Sequence, residues 1–227
     1  MKRILLILIS FAHFGCSSIS KANQDLTDIQ PCRQDVPRQK LRSEELQTIV
    51  KADQDDRENF NNKTQDELFE MLKRDITRRK RVGEIFGEGC FKDAKDFSAA
   101  ALVYQHGDVP DHFFQAFIWA KRAVDLGDKS QKHLMALAID RYLVNIGHKQ
   151  LFASQASKSN VNDPNSCWCM QQIEKTFPEK LRIEGAGKSL TKAFDWLEEL
   201  NQGKNCPNTE CDVELSPSPK GTVPGFW

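Results

Sequence analysis

The sequence predicts a mainly α fold, an irregular helical bundle with a disulfide-tied C-terminal extension. Three observations carry that prediction. Between Ala99 and Gly147, helix-length apolar segments are separated by Gly107 and Gly127 and closed by Gly147, each where a helix would stop. Six cysteines remain for pairing once the N-terminal leader is set aside, four of them in the C-terminal third. A hydrophobic share of 39%, with 32 basic residues against 32 acidic ones, fits an ordinary globular protein and argues against a general nucleic-acid binder.

Residues 1–15 read as an export signal. Lys2 and Arg3 precede an apolar run, Ile4 to Phe14, that is too short to span a bilayer as a stable helix. Two processing routes are open. Gly15-Cys16-Ser17-Ser18 resembles a lipoprotein site, which makes Cys16 the lipid attachment point and a membrane anchor. Ordinary cleavage after Ala22 is the alternative and gives a secreted soluble chain. Residues 16–42 are polar, contain Pro31 and Pro37, and read as a linker.

The helical domain is expected over 43–157. Ser43 is placed to cap a helix with Glu44 and Glu45 in its first turn. Its stripe Leu46, Ile49 and Val50 continues at helical spacing through Asp53, Arg57 and Phe60, so an Asp and an Arg four apart are expected to face inward. Buried, each of those charges must be matched or its burial costs several kcal/mol. Thr64 with Glu67 forms a capping box for the next helix, whose apolar residues are Leu68, Phe69, Leu72 and Ile76. The run Arg78-Arg79-Lys80-Arg81 is expected near its end, either solvated, contacting an anion or acidic lipid, or partnering Asp53 and Asp140.

Asp108 offers an N-cap and Pro110 suits a first helical turn. The helix that follows carries Phe113, Phe114, Ala116, Phe117, Ala120, Ala123 and Val124, and Ser130 is expected to cap its successor. Three such helices with short connections pack as neighbours. The pattern Ala100, Tyr104, Gly107, Val109, Asp111, Ala116, Trp119, Ala123, Gly127 resembles one unit of a Sel1-type repeat, a relative of the tetratricopeptide helix pair, at about 100–136. No second copy follows, and a solenoid needs about three. The resemblance therefore implies one repeat-like helix pair inside a bundle.

A wider resemblance runs from Asp53 to Gln155. Asp53-Gln54 with Arg57, Gln105-His106-Gly107, Asp140-Arg141, and Gln150-Leu151-Phe152-Ala153-Ser154-Gln155 stand in the order of a family of functionally uncharacterised bacterial helical domains. That family carries DQ..R, QH(G or A)D, DR and Q..(F or Y)GTQ elements. Here Ala153-Ser154 stands where the family has Gly-Thr, and Ser98 stands where a His is often seen. The resemblance implies a helical domain and supplies no activity.

Residues 158–227 read as an extension packed on that body. A short helix is expected around 170–175, a short strand at Leu181–Ile183, and a helix capped by Ser189 that buries Leu190, Phe194, Leu197 and Leu200. Cys32, Cys90, Cys167, Cys169, Cys206 and Cys211 suit disulfides in an oxidising compartment, with fifteen connectivities open. Cys32 and Cys90 could tie the N-terminal segment to the core. Cys-x-Cys and Cys-x4-Cys depart from zinc-knuckle spacing, so no metal or other cofactor is expected.

The candidate polar set is Asp53, Gln54, Arg57, Gln105, His106, Asp140, Arg141, Gln150 and Gln155. With Asp53 or Asp140 as orienting carboxylate, His106 could act as a general base; a buried network that fixes helix packing explains the same residues without a substrate. No nucleophile elbow, phosphate loop, HExxH or dinucleotide fingerprint is present. Two functions are expected as rivals: an exported, lipid-anchored protein that binds an envelope protein or peptide, and a hydrolase-like enzyme or small-ligand binder. Convergence of the polar set on a cavity would favour the second.

Overall fold

The computed structural model describes residues 31–158, 160, 163, 165–206 and 209–227. The export signal, Cys16 and Ala22 lie outside them. Among the described residues, seven α-helices and one two-stranded sheet make up the main regular structure: α1 (Val36–Asp55), α2 (Gln65–Gly87), α3 (Ala94–Gln105), α4 (Pro110–Asp125), α5 (Lys132–Asn145), β1 (Ala156–Lys158), β2 (Trp168–Met170), α6 (Glu179–Ala186) and α7 (Leu190–Asn201). No helix among the described residues is long and apolar enough to cross a membrane.

The helix α1 begins before Ser43, inside the segment expected as linker. Asp35 caps it by accepting from the Arg38 amide, and Pro37 sits in the first turn, where its missing N–H is tolerated. Ser43 is instead buried on the helix face and donates to Asp96. Leu46 and Asp53 point inward as expected, whereas Phe60 lies in a 3-10 turn and is 49% exposed.

The Thr64–Glu67 capping box opens α2 as predicted. The helix then runs on to Gly87, which places the arginine run in its middle rather than at its end. Its buried face is Met71, Asp75, Arg79, Val82 and Ile85. Phe69, Leu72 and Ile76 lie on a different face, 59%, 52% and 54% exposed. Periodicity identified an apolar stripe here, but α2 packs by another side, because its carboxylate and guanidinium at 75 and 79 find partners inside.

Three central helices, α3, α4 and α5, carry most of the core through Ala100, Val103, Phe117, Ala120, Ile139 and Leu143. Alanines line their contacts, so backbones approach closely. At Gly107 a Cβ would collide with the His112 ring, which explains the glycine at the α3–α4 turn. Pro110 occupies the first turn of α4 as expected. Asp108 and Ser130 do not cap: Val109 precedes α4 without a side-chain cap, and Asp128 takes the Ser130 amide in a 3-10 turn before α5. Asp108 is drawn away by Arg79 and His112, at 3.0 Å each.

After α5 the chain folds back as a loop over 147–155, then pairs β1 with β2 in antiparallel register, Ser157 opposite Cys169. The expected helix at 170–175 is absent; Met170 is in β2 and Gln171 and Gln172 give their carbonyls to the loop. Leu181–Ile183 is helical, within α6, where Arg182 is buried and donates to the Leu151 carbonyl at 2.9 Å. Ser189 caps α7 as predicted. That helix buries Ala193, Leu197 and Asn201, with Leu190 and Phe194 partly covered.

Disulfides join Cys32 to Cys90, Cys167 to Cys206 and Cys169 to Cys211. The first ties the entry of α1 to the end of α2. The other two staple the C-terminal segment to the sheet. Phe226 and Trp227 then pack on the main core, with the Trp227 indole N–H on the Ser218 carbonyl at 2.7 Å.

Candidate functional site

The candidate residues fall into two clusters that meet at the C-terminal end of α3. In the first, Asp53 is fully buried on α1. Its carboxylate lies 2.9 Å from His106 Nδ1, accepts from the Gln54 amide at 2.8 Å, and stands 3.1 Å from the Arg57 guanidinium. Arg57 also donates to Asp75 at 2.8 Å, and Asp75 accepts from Arg78 at 3.0 Å. Arg78 and Arg74 share Asp56. Alternating charges therefore knit α1 to α2, alongside the apolar core that Leu46 shares with Val82 and Ile85. Hydrogen bonds from Arg74 first, then Arg78, hold the Asp56 carboxyl down at about 2.

In the second cluster, Asp140 on α5 is wholly buried and is not paired with an arginine. The loop that follows the helix curls around it. Backbone N–H groups of Leu151 (2.8 Å), Phe152 (3.0 Å) and Ser154 (3.0 Å) donate to its oxygens, with the Ser154 hydroxyl at 2.8 Å. Burial pushes the carboxyl up to about 6, and these donors oppose that rise. Ala153, in the middle of the cradle, adopts φ +56°, a conformation glycine takes more readily. Gln150 completes the loop: its amide donates to the carbonyls of Gln155 and Gln171, and its oxygen accepts the Gln155 N–H.

The last turn of α3 joins the two clusters. A helix end leaves carbonyls without intrahelical partners. Arg141 donates to the Gln105 carbonyl at 2.8 Å and Arg79 to the His106 carbonyl at 2.9 Å. Arg141 faces no carboxylate among the described residues; Gln155 Oε1 at 3.4 Å and the Phe113 ring at 5.5 Å are its other contacts. Burial lowers its proton affinity. Gln105 is buried, and both polar atoms of its side-chain amide lack a hydrogen-bond partner.

The Asp53–His106 contact brings a carboxylate to an imidazole, which is what orienting a base requires. No side-chain hydroxyl or thiol among the described residues hydrogen-bonds to His106, and all six described cysteines are oxidised. Cys32, Cys90 and Glu88 cluster closely enough to suggest metal ligands, but the two sulfurs are bonded to each other. The arginine run serves helix packing: Arg81 pairs with Glu45 and Glu84, Arg78 and Arg79 as above, and neither Asp53 nor Asp140 takes a partner from it. Asp75 and Asp56, central to the first cluster, were missed in the sequence. Asp75 stands four residues before Arg79 on the inner face, a spacing that could have disclosed it.

Taken together, the fold and these clusters define a disulfide-braced, mainly helical protein whose buried carboxylates at 53, 75 and 140 are bonded to other side chains and to backbone. No family model, no curated protein and no solved structure matches this chain.

Proposed function

We propose that this is an exported, lipid-anchored helical protein that binds another protein or peptide of the cell envelope, with the outer face of α2 as its contact. The observation that carries the reading is the exposed stripe Phe69, Leu72 and Ile76, three large apolar side chains at helical spacing on one face. Fully covering such a side chain contributes about 1.5–3 kcal/mol, which is a reason for a partner to sit there. The flanking charges are segregated. Asp66, Glu67 and Glu70 precede Lys73, Arg74 and Lys80 along the helix. An amphipathic helix of the same polarity laid antiparallel would meet opposite charges along its length.

The three disulfides are consistent with an exported protein. The consecutive helices α3 and α4 supply the Sel1-like pair of this reading, a scaffold on which α2 is held by ion pairs at its inner face. The polar set supports the binding reading by its internal pairing. Asp53 bonds to both Arg57 and His106, and Asp140 bonds to its own loop.

Tagged mature protein and a Phe69→Ser/Ile76→Ser variant, both solvent-exposed changes, are to be used to capture partners from the native envelope. The expected result is a defined partner held by the wild type and lost by the variant. Equal capture by both, or capture of none together with an activity abolished by His106→Ala, overturns the proposal. A second copy of the chain as the captured species is read out by sedimentation and replaces the envelope partner.

A further inference from the structure

On the outer side of the loop that cradles Asp140, a cavity of about 110 Å³ opens between α5, residues 152–154 and α7. Its floor is made of small or flat groups: Ala136, Ala153 and Ala193, each almost fully buried, with the Phe152 ring. Trp196 forms one wall. Two basic side chains, His133 and Lys188, stand at the edge and are exposed. An apolar cavity of about 150 Å³ is enough to hold benzene, so this one suits a chain of a few carbons.

Charge decides what such a molecule carries. Lys188 lies over the Trp196 ring at 5.9 Å, and no ion pair links Lys188 or His133 to a carboxylate among the described residues. Partial burial and the Lys188 charge together lower the proton affinity of His133, which places both groups in one field. Asp140 lies behind the Ser154 hydroxyl of the lining, and its negative charge is already met by three backbone N–H groups and that hydroxyl. A cation is repelled by Lys188 at this mouth, and a neutral molecule leaves that ammonium, joined by the imidazolium once His133 is protonated, without a counter-charge.

We propose that this cavity binds a short-chain carboxylate, its hydrocarbon tail on the alanine floor and its carboxylate between His133 and Lys188. The tail displaces water from apolar surface, and the carboxylate supplies the counter-charge that the protein lacks there. Binding strengthens on acidification as His133 gains its proton, with Lys188 the other cation facing it and Asp140 the acid behind the wall.

The test is a titration of the whole mature protein with butyrate, followed by NMR of the His133 ring and the Trp196 indole. Saturable shifts with a dissociation constant around 1 mM are expected, together with a rise in the His133 pKa. Butyramide and butylamine should bind at least about tenfold more weakly. Lys188→Met keeps the stem over Trp196 and removes the charge; it should weaken butyrate by about tenfold or more. Acetate should bind more weakly than butyrate, since less tail is covered, and Ala193→Val should erase that difference. No saturable shift, equal binding of butyramide, an unaffected Lys188→Met, or equal affinity for acetate and butyrate in the wild type would each overturn the proposal.

Discussion

Replacing Asp140 with Asn keeps the shape of the side chain and removes one acceptor oxygen from a fully buried cradle. The wild-type carboxylate satisfies the N–H groups of Leu151, Phe152 and Ser154 and the Ser154 hydroxyl. In the variant, the amide oxygen can still serve Leu151 and Phe152. The new NH2 then confronts the Ser154 N–H. The hydroxyl can rotate to accept, but the backbone N–H cannot. One buried donor left unmade costs about 1–3 kcal/mol, and the two retained bonds lose their charge assistance, about 1 kcal/mol each. Removal of a buried charge offsets part of this, as the raised carboxyl pKa indicates. The net expectation is about 3 kcal/mol of destabilisation in urea unfolding at neutral pH, with an unchanged m-value. Amide exchange localises the effect: Leu151, Phe152 and Ser154 should lose protection before the rest of α5 does. A variant within about 0.5 kcal/mol of wild type, or unchanged protection at those three amides, would refute the claim that Asp140 organises the loop.

Two further outcomes follow from the ion pairs and the covalent ties. Asp56 has its carboxyl pKa lowered from 3.8 to about 2 by Arg74 and Arg78, so its contribution, about 2 kcal/mol, is complete above pH 4 and disappears as pH falls towards 2. Asp56→Asn should therefore be less stable than wild type at pH 7 and equal to it near pH 2; a pH-independent difference would show that the pairing is not the cause. Removing the Cys32–Cys90 bridge as a double serine variant opens a link across 58 residues of sequence. Chain-entropy reasoning puts the loss at about 4 kcal/mol, checked by thermal unfolding against the oxidised wild type; a loss below about 1 kcal/mol would mean that the unfolded chain is already held compact.

What the sequence disclosed follows the range of the interaction concerned. Some short-range rules held: the Thr64–Glu67 box, the Ser189 cap and Pro110 in the first turn of α4 each depend on residues within a few positions of one another, whereas the caps expected of Ser43, Asp108 and Ser130 did not form. The inward placement of Asp53 was also legible, since one stripe continued from Leu46 along α1. Most of the other failures came where distant groups decide. Pro37 suggested a linker, yet the Cys32–Cys90 disulfide and the Asp35 cap make it the opening turn of α1. Phe69, Leu72 and Ile76 formed a valid apolar stripe, but Asp75 and Arg79 on another face had partners on α1 and at the end of α3. The triplet Leu181-Arg182-Ile183 was too short to distinguish strand from helix, and the Leu151 carbonyl that receives Arg182 lies 31 positions away.

The same distinction explains how the candidate site is built. The contacts of Arg79, Arg141 and Asp140 end at one of two backbone features that local structure leaves unsatisfied: the carbonyls at the end of α3, and the amides of the loop over 151–154. Arg79 and Arg141 answer the first, and Asp140 answers the second. A helix end and a tight loop, each costly to bury alone, become the points at which α2, α3 and α5 are held in register. Ala153, at φ +56°, marks the strain accepted to turn three donors onto one carboxylate. His106 stands at the crossing: its carbonyl takes Arg79 while its ring takes Asp53, so one residue couples α1 and α2 to the central helices. On that account His106→Ala should loosen α1 against α3 even in a protein that performs no catalysis. Exchange protection at the α1 amides near Asp53 reports this directly, and unchanged protection there would leave the Asp53–His106 contact without a structural role.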